Sequence, residues 1–345
     1  MSEPLRPIEW TGSAIHVIDQ TELPGRLAYV ALERVDDIVD AIVRLAVRGA
    51  PQLGAIGALG VVLAMDESVR EGWTSGRLEA EIDRIRDARP TAVNLAWGVD
   101  RVRPLVARGR DVVLTAALDI VDQDERTNRA IGRNGADWIQ ERVPGRVRVL
   151  THCNTGALAT TAWGTALGVI RELHARAALE IVYVDETRPL LQGARLTAWE
   201  LAQDGIPHLV QADGAAASTI LCHLVDVAII GADRVAANGD TANKIGSLGV
   251  ALACADAGIP FIVAAPESTL DVRTGSGDDI EIEMRGDDEV LTFAGVRVAP
   301  LESRAHNPAF DVTPARLISA LVTEEGVMEV RAGEVPGARM RSAIR

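Results

Sequence analysis

The chain has 345 residues, enough for about two domains, and its 48% hydrophobic and 24% charged residues are ordinary for a globular protein. A formal charge of −14 repels polyanions, which excludes nucleic acid as the main partner but leaves room for a small phosphorylated molecule held by a few local donors. Three cysteines (Cys153, Cys222, Cys254) without a CxxC pair exclude a disulfide framework or zinc knuckle, and no metal is expected. The N-terminus lacks a signal-peptide core, and no uninterrupted apolar run approaches the roughly 20 residues of a membrane span, so the chain reads as cytoplasmic with no membrane partner.

Apolar residues at helical spacing predict a helix over Val35–Ala46, which runs into a loop at Arg48-Gly49-Ala50-Pro51. A buried helix of small residues follows at Gly54–Met65, with more helices at Arg77–Ala88, Ala92–Arg108 and Arg129–Val143. Near Arg146 the rhythm changes. A short apolar run, Arg148–His152, leads into Cys153-Asn154-Thr155-Gly156 and a helical stretch to His174. Strands at Glu180–Val184, His208–Val210, Val225–Ile230 and Pro260–Ala264 then alternate with helices at Gly193–Gln203, Ala215–His223 and Ile245–Asp256. This alternation predicts an α/β fold with a parallel sheet, whose ligands sit beyond the carboxyl ends of the strands. The acidic stretch Gly275–Glu289 reads as a surface excursion, and the tail after Glu329 as loosely ordered. A small, mostly helical N-terminal domain (residues 1–122) and a Rossmann-like catalytic domain (residues 123–345) are expected, with the boundary near Asp119–Arg129.

Several polar motifs stand where chemistry is done. Arg48-Gly49-Ala50-Pro51 puts a guanidinium beside a helix start, which suits a phosphate, although a tight helix–helix turn would look the same. Cys153 sits where a strand ends and a helix begins, a place that favours a thiolate; the alternative is a buried structural thiol. His152 reads as a packing or hydrogen-bonding residue, and Cys222-His223 as core. Glu186–Gly193 is a polar loop suited to a hydroxyl-rich ligand or to a salt-bridged connection. Asp233 in Gly231-Ala232-Asp233-Arg234 follows a β-branched run, so it is a candidate acid or merely a cap. Thr241-Ala242-Asn243-Lys244 reads as the positive end of a helix. Gly275-Ser276-Gly277 starts like a dinucleotide loop, but Asp278-Asp279 would repel a pyrophosphate.

These motifs, in this order, resemble the methylthioribose-1-phosphate isomerase family. The matching segments are Arg48-Gly49-Ala50-Pro51, Arg89–Asn94, Thr151–Asn154, Glu186–Thr197, Gly231–Arg234, Asn238–Gly246 and Asn307–Pro314. The resemblance implies a Rossmann-like catalytic domain, a homodimer, no cofactor, and a small sugar-phosphate substrate. It implies Cys153 as the catalytic thiol and Asp233 as the acid, with Arg48, Gly49, Ala50, Arg89, Gln192, Asn243 and Lys244 holding substrate. The chain departs at Gln52-Leu53, where the family usually has Ala-Ile. The same superfamily includes regulatory subunits of translation initiation factor 2B, which need not keep the catalytic pair; here both residues stand in intact motifs. A related substrate, 5-deoxyribose 1-phosphate or ribose 1,5-bisphosphate, is the rival reading, and the absence of an extra basic cluster beside the motifs disfavours the second phosphate.

Overall fold

Residues 5–90 and 93–343 are described by a computed structural model, in which the chain divides into two units: residues 1–129 with 155–165, and residues 130–154 with 166–345. The first unit opens with an antiparallel sheet of β1 (Ile8–Trp10), β2 (Ile15–Ile18) and β3 (Tyr29–Leu32), which the helical reading of this region does not foresee. Its signal is short: Ile15 and Val17 are fully buried on either side of His16, the period of a strand.

Helix α1 (Val35–Val43) buries Val35, Ile38, Ala41 and Ile42, at the expected spacing. Helix α2 (Ala50–Glu71) has 22 residues, longer than its apolar core suggests, because Glu67 near its end is buried and accepts from Val35 N at 2.9 Å. By length and composition α2 could cross a bilayer, unlike the sequence reading, but 78% of its apolar stretch is buried inside the unit. Helices α3 (Ser75–Arg86) and α4 (Val93–Val102) follow, and Arg103–Arg108, expected as the end of α4, tightens into a 3₁₀ turn at Pro104. Ala92, the expected first residue of α4, lies outside the described residues. Small residues let α2 and α4 touch backbone to backbone: a Cβ on Gly98 would lie 2.0 Å from Gly54 O. Helix α5 (Arg110–Arg142) runs 33 residues through the division between the units, so its first half, read as a connection, is helical. Val113, Ala117 and Ile120 supply its buried face there, the valine and isoleucine each at about the 1.5–3 kcal/mol typical of burying such a side chain.

The second unit carries the parallel sheet. In chain order it contains β4 (Val147–Thr151), α6 (Ala166–Ala175), β5 (Leu179–Asp185), α7 (Ala198–Gln203), β6 (His208–Gln211), α8 (Ala216–Leu221) and β7 (Val227–Ile230). Next come β8 (Arg234–Ala236), β9 (Thr241–Lys244), α9 (Ser247–Ala257), β10 (Phe261–Ala264) and β11 (Leu270–Asp271). The short α10 (Asp288–Leu291), the hairpin β12 (Thr292–Phe293) and β13 (Val296–Arg297), then β14 (Phe310–Thr313), β15 (Ala320–Thr323), β16 (Gly326–Met328) and α11 (Pro336–Ala343) complete it. The main sheet runs β6–β5–β4–β7–β10–β15–β16, parallel except for the antiparallel edge β16. Strands β7 and β10 are buried at every position, as their unbroken apolar sequences require. The chain adds β5 and β6 on one side of β4, then crosses to add β7 on the other, which makes β4/β7 the switch point. A second sheet, β11–β8–β9–β14, is mostly antiparallel.

Four expectations are corrected. Residues 155–165 are a 3₁₀ turn and bends rather than helix, because Trp163 and Gly164 take positive φ and Gly164 packs where its Cβ would be 2.4 Å from Gly156 Cα. Asn243 and Lys244 lie on β9, not at a helix start: Lys244 pairs with Phe310 and Asn243 with Asp311, and Gly246 (φ 109°) turns the chain before α9 begins at Ser247. Cys222 and His223 are exposed at the end of α8, where the helix stops. The tail after Glu329 contains α11.

Candidate functional site

Cys153 and Asp233 leave the carboxyl ends of β4 and β7, neighbouring parallel strands paired as Leu150 with Ala228 and Thr151 with Ile229. The crevice at a switch point opens between such ends. Cys153 is buried, in no disulfide, and has a positive φ of 66°. A side chain in that conformation is held by its surroundings, at a cost of about 1–3 kcal/mol. The holders are two threonines: Cys153 N donates to Thr187 Oγ1 at 2.9 Å, and Thr197 Oγ1 donates to Cys153 O at 2.6 Å. Thr187 itself has φ 66° and donates to Asp185 O at 2.9 Å. Cys254, by contrast, is buried in the core with its thiol pushed up to about 12 by desolvation, so it stays protonated.

The next residue, Asn154, donates to Glu200 Oε1 at 2.8 Å, and Glu200 pairs with Arg171 at 2.9 Å with both side chains almost fully buried. A buried ion pair of this kind gives its carboxylate a fixed place rather than a large gain in stability.

Gln192 lies in the loop between Thr187 and Thr197, where residues 193–197 form a π-type turn. Such turns insert one residue into a helix and are frequent at functional sites. Gly193 is compulsory there, since a Cβ would sit 1.7 Å from Asp185 O. Gln192 is buried, and its Oε1 has no hydrogen-bond partner among the described residues. A buried acceptor left in that state is costly and suits a ligand hydroxyl.

Asp233 is half-buried, and its N donates to Ala242 O at 2.9 Å, just before β8 pairs with β9 at Arg234 and Ala242. Asn243 Nδ2 donates to Ser247 Oγ at 2.8 Å. Lys244 is buried, donates to Ala309 O at 2.8 Å and lies 4.4 Å from the centre of the Phe310 ring. The amides that open α9 belong to Asp311, whose Oδ2 accepts from Gly246 N at 2.8 Å and Oδ1 from Leu248 N at 3.1 Å. Burial nevertheless raises the Asp311 pKa. Cys153, Gln192, Asp233, Asn243 and Lys244 all belong to the second unit.

His152 and Asp185, both buried, form with the half-buried Asp213 a cluster that the sequence reading did not assemble, with one ligand-type atom from each within 4.8 Å of the others. Hydrogen bonds already engage these groups: His152 Nδ1 lies 3.0 Å from Asp185 Oδ2, and Asp213 accepts from Thr187 N and Arg188 N at 2.7 and 2.6 Å. The alignment of polar residues at three successive strand ends was the available signal.

The first unit holds Arg48, Gly49, Ala50 and Arg89. Gly49 (φ 96°) caps α2 and packs so closely that a Cβ would lie 2.3 Å from Ala159 O. Arg48 and Ala50 flank it, half-buried, and Arg89 is half-buried in the turn after α3. Of the motif Arg89–Asn94, Thr91 and Ala92 lie outside the described residues. Gln52, the departure from the family pattern, is fully buried; reversed, its amide donates to Arg48 O at 2.8 Å and Leu158 O at 2.9 Å.

Fold and strand-end site together define the class: a Rossmann-like α/β protein that sets a thiol and a carboxylate at a switch point. The model of the initiation factor 2 subunit family matches residues 46–330. A methylthioribose-1-phosphate isomerase of Gloeobacter violaceus is 47% identical over 94% of this chain and 93% of its own length. A probable bifunctional methylthioribose-1-phosphate isomerase/methylthioribulose-1-phosphate dehydratase of Nocardia farcinica is 52% identical over 99% of this chain, which spans only 63% of that longer protein. Among solved structures, 5-methylthioribose 1-phosphate isomerase from Pyrococcus horikoshii OT3 superposes with a TM-score of 0.87 at 36% identity, covering 99% of this chain and 96% of that one. Translation initiation factor eIF-2B, subunit delta, from A. fulgidus gives 0.82 at 38%, covering 94% and 96%. The chain belongs to the initiation factor 2 subunit family and, within it, to the methylthioribose-1-phosphate isomerases.

Proposed function

We propose that the chain converts 5-methylthioribose 1-phosphate to 5-methylthioribulose 1-phosphate, an aldose–ketose isomerisation of methionine salvage. The observation that carries the reading is Cys153 and Asp233 at the ends of the two strands flanking the switch point. Phosphate on C1 locks the sugar as a cyclic acetal, so the ring must open before hydrogen can move. Asp233 donates a proton to the ring oxygen as its bond to C1 breaks. Hydrogen then passes from C2 to C1 while the C2 hydroxyl loses its proton to the Asp233 carboxylate, which restores the acid. Cys153 serves this second step, either carrying the C2 proton as a thiolate or stabilising a hydride shift. Burial of the thiol shields the opened intermediate from water. Asn243 and Lys244 hold the sugar phosphate, and Gln192 Oε1 takes a sugar hydroxyl; the resemblance assigns substrate-holding roles to Arg48, Gly49, Ala50 and Arg89 as well.

No cofactor enters this balance. A thiol that must stay reduced to act suits a reducing compartment, the cytoplasm. A homodimer is part of the reading; exposed Leu209 and Val210 on edge strand β6, with Leu221, Leu224 and Leu252 around α8 and α9, favour it.

The test is kcat/KM of the purified protein on 5-methylthioribose 1-phosphate, 5-deoxyribose 1-phosphate and ribose 1,5-bisphosphate. The first should lead; a preference for the bisphosphate overturns the substrate. Turnover in D2O separates the routes, since only proton transfer through the thiolate brings solvent deuterium to C1. Sedimentation velocity reads the dimer, and a monomer at micromolar concentration removes that part.

A further inference from the structure

His152 is a buried titratable side chain for which the reaction has no use, yet it joins the two segments that must act together. Its Nε2 lies 2.8 Å from Ile245 O, and because a carbonyl only accepts, that nitrogen carries a hydrogen. Its Nδ1 lies 3.0 Å from Asp185 Oδ2, while Asp185 Oδ1 accepts from Gln211 Nε2 at 2.9 Å. Gln211 Oε1 in turn accepts from Thr219 Oγ1 at 2.7 Å, so Asp185 is anchored from behind. On the open side of the ring stands Gly246, where a Cβ would be 2.7 Å from His152 Cε1. The imidazole therefore touches backbone directly, with no side chain between. One neighbour of His152 is Cys153, and one neighbour of Ile245 is Lys244.

We propose that His152 is a positioning residue: held at Nδ1 by Asp185 and at Nε2 by Ile245 O, it sets the spacing between the Cys153 turn and the strand end carrying Asn243 and Lys244. The proposal rests on the reading that these residues serve one substrate. Errors of about 1 Å in such spacing cost rate far more than affinity, because the phosphate can still be gripped while the reacting atoms are misplaced.

The two hydrogen bonds can be removed separately. A glutamine amide nitrogen occupies the place of Nε2 and keeps the bond to Ile245 O; an asparagine amide nitrogen occupies the place of Nδ1 and keeps only Asp185. His152→Asn should therefore lower kcat about 10- to 100-fold with KM within about threefold, and His152→Gln should recover most of the loss. Alkylation of Cys153 by iodoacetamide, located by mass spectrometry, supplies a readout independent of the substrate: its rate should change in His152→Asn and return towards wild type in His152→Gln. If wild type fails to turn over the sugar phosphate while the alkylation pattern holds, the substrate is wrong and the positioning role stands. Wild-type kcat and alkylation rate in both folded variants, or equal losses in the two, overturn the role. Should His152→Asn not fold, Gln211→Leu loosens Asp185 with the ring in place. It should lower kcat and alter alkylation in the same sense, and an unchanged pair of values counts against the proposal.

Discussion

The Arg48 loop and the Cys153 turn are held in place by opposite means. Around Gly49 there is almost no side chain to do the holding: backbone rests on backbone, and the space for one methyl group is already taken by Ala159. Around Cys153 the backbone is suspended from side chains, two threonine hydroxyls, an asparagine amide and the carboxylates behind them. The first arrangement breaks when an atom is added, the second when a hydrogen bond is removed. Close packing gives a phosphate loop a fixed shape, whereas a polar network gives a reacting group a fixed direction in a low-dielectric setting where its hydrogen bonds are strong.

The largest effects should come from the reacting groups, which belong to neither mode of support. Asp233→Asn should cut turnover about 10²- to 10⁴-fold with substrate binding, measured by calorimetry, nearly intact. Cys153→Ser should cost at least about 10²-fold in kcat. A substrate already open at C1 should partly rescue only the Asp233 variant; equal rescue of both would erase the division of labour. Arg48→Ala should raise KM by the equivalent of about 2–4 kcal/mol if it is a desolvated phosphate contact, and unchanged kinetics would reassign the loop to packing.

Next come the tests of support itself. Gly49→Ala should lower stability by about 2–3 kcal/mol in denaturant unfolding, from the clash and the positive φ together. Asn154→Ala should cost about 1–2 kcal/mol, since it removes the buried amide bonds to Glu200 and Thr197 while Glu200 keeps Arg171. If the asparagine change is the more damaging, the contrast is inverted. The smallest effect is a pH dependence. Burial pushes the His152 pKa down, but hydrogen bonding to Asp185 and the charges of Asp185 and Asp213 outweigh it, leaving the value raised; Asp311 also faces the ring. Its contribution is therefore fully present below the unfolded value of about 6.5 and is lost as pH rises through the higher folded value. The stability difference between wild type and His152→Gln should narrow on the alkaline side, and a gap that widens there would mean the ring is neutral in the fold.

What the sequence made legible was whatever rests on local pattern. Unbroken apolar runs such as Val227–Ile230 end in polar motifs, and that alone put Cys153 and Asp233 at strand ends. Strand β9 was not legible because Thr241–Lys244 is short and, of its two partners, β8 has only three residues and β14 lies far along the chain. The apparent helix start was a strand, and the helix dipole assigned to Lys244 belongs to Asp311. The His152–Asp185–Asp213 cluster escaped for a related reason: its members come from three strand ends, and each alone reads as a bland polar residue. The first half of α5 was missed because charged residues outnumber the buried positions Val113, Ala117 and Ile120 there.

The segment 155–165 has a consequence for how the protein is made. It belongs to the first unit although it follows the first strand of the second unit's main sheet. Without it, Gln20 loses Leu158 O, Asp124 loses Thr161 and Gly49 faces a gap. A ribosome that has finished residue 129 has therefore not finished the N-terminal unit. At the usual 5–20 residues per second, roughly 2–7 s separate residue 129 from residue 165, an interval in which the nascent helices expose the face that this segment will cover. Vectorial synthesis cannot deliver the two units one after the other; the first closes only after the second has begun.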